Sequence, residues 1–219
     1  MSQHPHYRRH RRQHIQHRTN WLSVLVEGEP KNYNIPQWNS NTKCNQGSSW
    51  GDLTTGAYVW YDNDISWKDL YGGLYNWYAV DDANGLCPIG WHVATNDEWT
   101  ALTDFIGGTA SPHGNELKSC RQVNSPLGDG CNTTEHPRWN EHNIHYGTDD
   151  FGFSCLPGGL CGYISGSFNT IGDFGFWWSS TVYMTGTAVW WRGLSYNLGN
   201  MGMGYGPDGN GNSVRCLRD

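Results

Sequence analysis

Apolar residues mark one helix clearly. Trp99, Leu102, Phe105 and Ile106 recur at helical spacing. Thr95-Asn96-Asp97-Glu98 just before them forms a capping box, and Gly107-Gly108 supplies a left-handed stop. The pattern predicts a helix over roughly 96–106. Upstream, Leu74, Trp77 and Tyr78 stand at i, i+3 and i+4, which predicts a second helix with an aromatic face within Tyr71–Val80. Strands are expected at Trp21–Gly28 and around Trp91–Ala94, and a strand with a turn over Thr54–Asp64. Asn32–Ser49 is rich in Asn, Ser, Pro and Gly and reads as loop. From Thr109 onward the apolar pieces are short and broken by Gly, Asn, Pro and Asp: FGFSCLPGG, GYISGSF, GFWWSST, AVWWRGLSY and NSVRCLRD. The whole reads as α+β, with one or two early helices and then a loop-rich meander of short antiparallel strands. No internal repeat is visible, and no domain boundary follows residue 20, so residues 21–219 read as one domain.

Composition sharpens this. The chain has 219 residues, with 29 Gly, 13 Trp and only 16% charged residues. That balance argues against a helical bundle and against general disorder. No run of apolar residues is long enough to span a membrane, and no export signal is visible. Charge is unevenly divided. Residues 1–20 hold Arg8, Arg9, Arg11, Arg12 and Arg18, five histidines and no acid. Removing those five arginines leaves nine basic against 20 acidic residues, a formal charge of −11. An acidic body does not suit a nucleic-acid binder. The tail reads as a solvated, disordered segment or a non-native leader, with adventitious metal binding through His4, His6, His10, His14 and His17 as the alternative.

Seven cysteines occur without a CxxC pair, which excludes zinc-ribbon and thioredoxin readings. Cys120/Cys131 and Cys155/Cys161 each bracket a short Pro/Gly loop and suit local disulfides in an oxidising compartment. Cys87 and Cys216 then remain as a long-range pair, with Cys44 odd. The alternative is buried free thiols in a reducing cell. His113, His136, His142 and His145 gather in one region, but HNIH alone is short of a zinc ligand set. The oxygen-rich turns Asp62-Asn63-Asp64 and Gly206-Pro207-Asp208-Gly209 read as turns rather than calcium loops. No metal or cofactor is expected.

The block GGLYNWYAVDDANGLCPIGWHVATNDEWTALTDFIGG, followed in order by GFSCLPGG, FGFWWSST and SVRCLRD, resembles the Fibrobacter succinogenes major paralogous domain. The resemblance covers roughly residues 50–219. It implies a fold similar to C-type lectins and formylglycine-generating enzymes, with two helices and a short twisted sheet. It also implies an extracellular, cell-surface or virion setting. The tryptophans in these motifs, Trp77, Trp91, Trp99, Trp177 and Trp178, are expected in the core.

Some relatives of this kind are variable proteins of diversity-generating retroelements. Mutagenesis of AAC codons at adenines there yields mainly Asn, Ser, Gly, Asp and Tyr on a fixed scaffold. The resemblance maps such positions within 190–212, onto Trp191, Gly193, Ser195, Asn197, Gly199, Asn200, Gly202, Gly204, Tyr205, Gly206, Gly209 and Asn210, with Arg192, Leu194, Tyr196 and Met201 as scaffold. Strand alternation would turn one set outward, and Tyr, Ser, Gly and Asn are residues that paratopes prefer. Trp191 and Tyr205 are the expected exposed anchors. The reading is a non-catalytic protein that recognises a protein or glycan on a target cell. Two alternatives stand beside it: an undiversified surface or adhesion module, and an oxidase similar to sulfatase-modifying enzymes, in which Cys155 and Cys161 would hold copper.

Overall fold

The computed structural model describes residues 43–44, 49–184 and 188–219. The basic tail, the strand expected at Trp21–Gly28 and most of the loop expected over Asn32–Ser49 lie outside the described residues. The described chain is α+β, with a few short helices and small antiparallel sheets. In order it forms β1 (Tyr58–Val59), α1 (Lys68–Tyr71), β2 (Leu74–Tyr75), α2 (Trp77–Val80), β3 (Trp91–Val93), α3 (Asn96–Ile106) and α4 (His113–Leu117). There follow β4 (Leu160–Cys161), β5 (Phe168–Asn169), β6 (Phe174–Met184), β7 (Ala188–Ser195), β8 (Gly202–Gly206) and β9 (Cys216–Arg218). The sheets are β1-β2, β3-β9, β4-β5 and β6-β7-β8.

The helix α3 follows from its sequence. The Glu98 amide donates to Thr95 Oγ1 at 3.2 Å, and the Thr95 amide donates to Glu98 Oε2 at 2.8 Å. That reciprocal cap satisfies two orphan donors and contributes roughly 1 kcal/mol. Gly107 ends the helix at φ 109°, where any side chain would be strained. Trp99, Leu102 and Ile106 are buried along one face. The second expected helix is divided. Leu74 and Tyr75 pair with Val59 and Tyr58 as strand, and only Trp77–Val80 is helical. Asn76 makes the break: its Oδ1 accepts from the amides of Ala57 and Ala79, capping one turn while holding the strand pair beside it. Strand pairing overrides the helical spacing here. The later strands are also longer than the broken sequence suggests, with 11 residues in β6 and 8 in β7.

Three apolar clusters form the core. The first packs α3 through Trp99, Leu102 and Ile106 against Trp139, Phe153, Trp177 and Leu194. The second holds Trp77, Val80, Val93, Trp178 and Val189, and the third holds Trp50, Val59, Tyr61 and Leu74. Trp91 packs half-buried on the second. Several buried indoles also find acceptors: Trp50 Nε1 donates to Gly209 O at 2.9 Å, Trp178 to Tyr75 O at 2.7 Å and Trp139 to Cys155 O at 3.1 Å. Each tryptophan thus fills volume and ties two remote segments together.

Disulfides join Cys120–Cys131, Cys87–Cys216 and Cys44–Cys161. The local Cys155–Cys161 pair does not form, and Cys44 is not the odd cysteine. The two sulfurs of CLPGGLC enter different clusters: Cys155 lies in the first, beside Leu117, and Cys161 in the third, beside Trp50. Backbone bonds fix this split, since the Cys155 amide donates to Leu117 O and the Cys161 amide to Gly211 O, both at 2.9 Å. Cys155 is a buried thiol.

Two polar devices secure the periphery. Lys118 is fully buried, and its Nζ donates to Leu198 O at 2.7 Å, His145 O at 2.8 Å and Asn115 Oδ1 at 3.2 Å. Burial pulls its pKa down to about 7, while the three oxygens favour the ammonium. At the β3–β9 pair, His92 Nδ1 meets Asp219 Oδ1 at 2.6 Å and Nε2 meets Glu98 Oε1 at 2.9 Å. Burial opposes the imidazolium, but the bonds to Asp219 and Glu98 outweigh it and raise the His92 pKa.

Candidate functional site

The three-stranded sheet carries the surface of interest, and its two faces follow from register. Trp190 pairs with Tyr205, Trp191 with Gly204, Arg192 with Met203 and Gly193 with Gly202. Paired residues share a face, so Trp190, Arg192, Leu194, Met203 and Tyr205 lie on one side, and Trp191, Gly193, Gly202 and Gly204 on the other. On the first side, α3 covers only one end. Arg192 is buried there, and its Nη2 donates to Thr100 Oγ1 at 3.2 Å and to Asn96 O at 3.3 Å, binding sheet to helix.

The other end of that side is open and aromatic. Tyr183 and Tyr205 stack with ring centroids 3.9 Å apart and planes 9° apart. Trp190 meets Tyr183 edge-on at 4.8 Å and Tyr205 at 6.0 Å. Tyr183, Tyr205 and Met203 are exposed, and Trp190 is half-buried. Three strands thus each contribute one ring to a single cluster at the surface. Mutual packing fixes the rings, so a ligand meeting them has little side-chain entropy left to remove.

The opposite side carries the second half-buried tryptophan of the pair. Trp191 packs onto the second core cluster, against Phe176 at 5.4 Å, and its indole lies over β8. A Cβ on Gly204 would come within 2.8 Å of Trp191 Cε2, closer than real Cβ contacts. Trp190 and Trp191 are both half-buried and lie on opposite faces, Trp190 with the rings of Tyr183 and Tyr205 and Trp191 against Phe176. Sequence reasoning missed Trp190 and Tyr183. The doubled tryptophan was the available signal, since neighbours in a strand take opposite faces.

The other mapped positions divide by packing. Gly193 and Ser195 are buried, because both faces of β7 are covered at that end. Gly199 is buried, with His145 Nδ1 2.8 Å from where its Cβ would stand, and Gly209 is buried, with Tyr163 Cβ 3.1 Å away. Asn210 is partly buried, and its Oδ1 accepts from the Tyr163 amide at 3.1 Å. Asn200, Gly202, Gly204 and Gly206 are intermediate, and only Asn197 and Tyr205 are exposed. The expected scaffold residues Arg192, Leu194 and Met201 are buried, and Tyr196 is intermediate.

The residues that tempt a chemical reading are engaged in structure. Burial pushes the Cys155 thiol up to about 12, with Arg215 Nη2 4.0 Å from its sulfur. With Cys161 in a disulfide to Cys44, the two thiols of a copper site are not assembled. His142 and His145 stack at 5.0 Å, and His142 Nδ1 accepts from the amides of Ile144 and His145. Asn63 exchanges bonds with the Cys44 backbone, Asp64 caps Ser66 and Asp208 accepts from the Tyr78 hydroxyl. Among the described residues no three His, Cys, Asp or Glu side chains group to hold a metal ion. Among them, too, no helix is long and apolar enough to cross a membrane. The three disulfides fit an oxidising compartment outside the cytosol.

A family model described as the Fibrobacter succinogenes major domain matches residues 29–218. No curated protein and no solved structure matches the chain.

Proposed function

We propose that this chain, which belongs to the Fibrobacter succinogenes major domain family, is an extracellular recognition module that binds a glycan or protein on another surface and performs no catalysis. The observation that carries the reading is the ring cluster Tyr183–Trp190–Tyr205 at the open end of the three-stranded sheet. Tyr and Trp combine apolar faces with polar tips, which suits contact with a ligand that is itself part apolar. The scaffold is read as C-type-lectin-like, a short twisted sheet with a helix laid on it, but it uses no calcium, because its oxygen-rich turns are already bonded internally.

The face is better read as fixed than as retroelement-diversified. Of the twelve mapped positions, Gly193, Ser195, Gly199 and Gly209 are buried and Gly204 lies under an indole, so a larger side chain at any of these disturbs packing. Diversification confined to Asn197 and Tyr205, which are exposed, remains compatible with folding. Sequencing this gene across its source population separates the two: adenine-biased substitutions at 191–212 support diversification, and even variation supports the fixed module.

The direct test is binding of the full chain to a glycan panel and to intact cells, beside W190A and Y205A. The reading expects saturable binding that both variants weaken at least tenfold while their melting curves stay near that of the wild type. Undiminished binding by a folded W190A/Y205A double variant would remove this face from the account.

A further inference from the structure

We propose that two copies of this chain associate through the outer edge of β8, joining their three-stranded sheets into one continuous six-stranded sheet. β8 is the last strand in the order β6-β7-β8. Its ladder with β7 uses only one side of its backbone. Among the described residues, no other main-chain group bonds to Gly202–Gly206. An edge of this kind is a template for another strand, and proteins usually block it with charge or proline. Neither occurs within Gly202-Met203-Gly204-Tyr205-Gly206. The three glycines offer no side chain to shield the backbone, and Met203 and Tyr205 are 53% and 56% exposed.

The segment is also complementary to itself. An antiparallel pair centred on Gly204 of each copy sets Met203 of one opposite Tyr205 of the other, twice, about a two-fold axis. This is the isologous arrangement most homodimers use. Both contacts join a thioether to an aromatic ring, a favourable pair. No like charges meet. A different protein strand would lack this reciprocity, which is why a second copy is the occupant we assign. The edge is only five residues long, so the dimer is weak and concentration-dependent rather than obligate.

Paired residues share a face, so the two Tyr183–Trp190–Tyr205 clusters come to lie on the same side of the joined sheet. The dimer itself stands on the β8 edge alone. Its consequence, two-point attachment to a repetitive surface with a gain from effective concentration, rests on the recognition reading above.

The test is sedimentation velocity of the full, disulfide-intact chain over a concentration series reaching hundreds of micromolar, with covalent dimers excluded on a non-reducing gel. The wild type should pass from monomer to dimer. M203K/Y205K, which places lysines opposite lysines at two exposed positions, should stay monomeric while still unfolding cooperatively, with a modest loss of melting temperature from the Tyr183–Tyr205 stack. Oxidised M203C/Y205C should give a covalent dimer, and M203C alone should not, because residue 203 faces residue 205 across the edge. A wild type that is monomeric throughout, or a dimer that survives M203K/Y205K, overturns the proposal. W190A, which lies outside the edge, separates the two readings. A monomeric chain that binds ligand through Trp190 ends the dimer and keeps recognition, whereas an edge dimer indifferent to W190A for every ligand does the reverse.

Discussion

Two glycines on one strand offer a sharp test of where Trp191 lies. Gly204 and Gly206 are both in β8, and both face the Trp191 indole. A methyl on Gly204 would stand 2.8 Å from Cε2 and 2.9 Å from Cη2 of that ring. A methyl on Gly206 would stand 3.4 Å from Nε1 and 3.6 Å from Cδ1, which is ordinary contact. Neither glycine has the positive φ that would strain an alanine. Alanine should therefore gain roughly 0.4–1 kcal/mol at either site from reduced freedom of the unfolded chain. At Gly204 that gain is opposed by overpacking of about 1–3 kcal/mol, because the indole already packs on Phe176 and the second core cluster. G204A should be destabilised by about 1–2 kcal/mol net, and G206A should be neutral to slightly stabilised. For a chain of this size each kcal/mol moves the melting temperature by roughly 2–4 °C. Denaturant midpoints followed by tryptophan fluorescence, with calorimetry beside them, measure both. The double variant W191A/G204A supplies the control. W191A alone should be costly, and adding G204A to it should cost nothing further, giving a coupling of about 1 kcal/mol or more. If G204A and G206A shift stability equally, or if the G204A cost persists without the indole, then Trp191 does not lie over β8 and the two faces of the sheet are assigned wrongly.

Other outcomes follow from the same geometry. W191A and W190A should each cost less than the roughly 3–5 kcal/mol of a fully buried tryptophan, because both are half-buried, with W191A the costlier because it packs on the second core cluster; parallel urea titrations compare them. Thiol titration should detect no reactive group in the native, non-reduced chain among the described cysteines, and Cys155 should become reactive only on unfolding, since its thiol is buried and its pKa is about 12. The His92 bridge should stabilise most strongly where Glu98 is ionised and His92 protonated. His92, raised above 6.5, contributes fully below that value and loses its contribution as pH climbs through its elevated pKa. Glu98, lowered from 4.5, loses its contribution as pH falls through its depressed value. H92Q should therefore differ from wild type mainly between these limits, by roughly 1 kcal/mol or less because the pair is partly exposed, and a constant difference from pH 4 to 9 would refute the bridge. Lys118 acts with the opposite sign to His92. Its folded pKa of about 7 lies below its ordinary 10.5, so the wild type should gain stability as pH rises between them, and K118M should lack that slope.

What the sequence disclosed and what it withheld have separate physical origins. α3 was legible because every signal for it is local: Thr95 and Glu98 cap each other three residues apart, and Gly107 ends the helix from within. The framework tryptophans were legible for a related reason, since a ring of that size has few places to go but the core. The errors fall where the deciding partner is remote in sequence. Cys161 looks toward Cys155, six residues away, but bonds to Cys44, separated by 117 residues, because the strand pairings of β4 carry it into another cluster. Leu74 keeps helical spacing with Trp77 and Tyr78, but pairs with Val59. The face of β7 is the same kind of problem. Alternation puts Trp190 and Trp191 on opposite faces, and nothing local says which of them joins Tyr183 and Tyr205. The choice is made by α3, which claims Arg192 through Asn96 and Thr100, nearly a hundred residues back along the chain. Once Arg192 is drawn under the helix, Trp190 must share its side, and Trp191 must turn toward Phe176 and the glycines of β8. The aromatic cluster thus shares its face with a buried cation two residues further along the same strand. Substituting Arg192 should disturb Trp190 and Tyr205 without touching either ring.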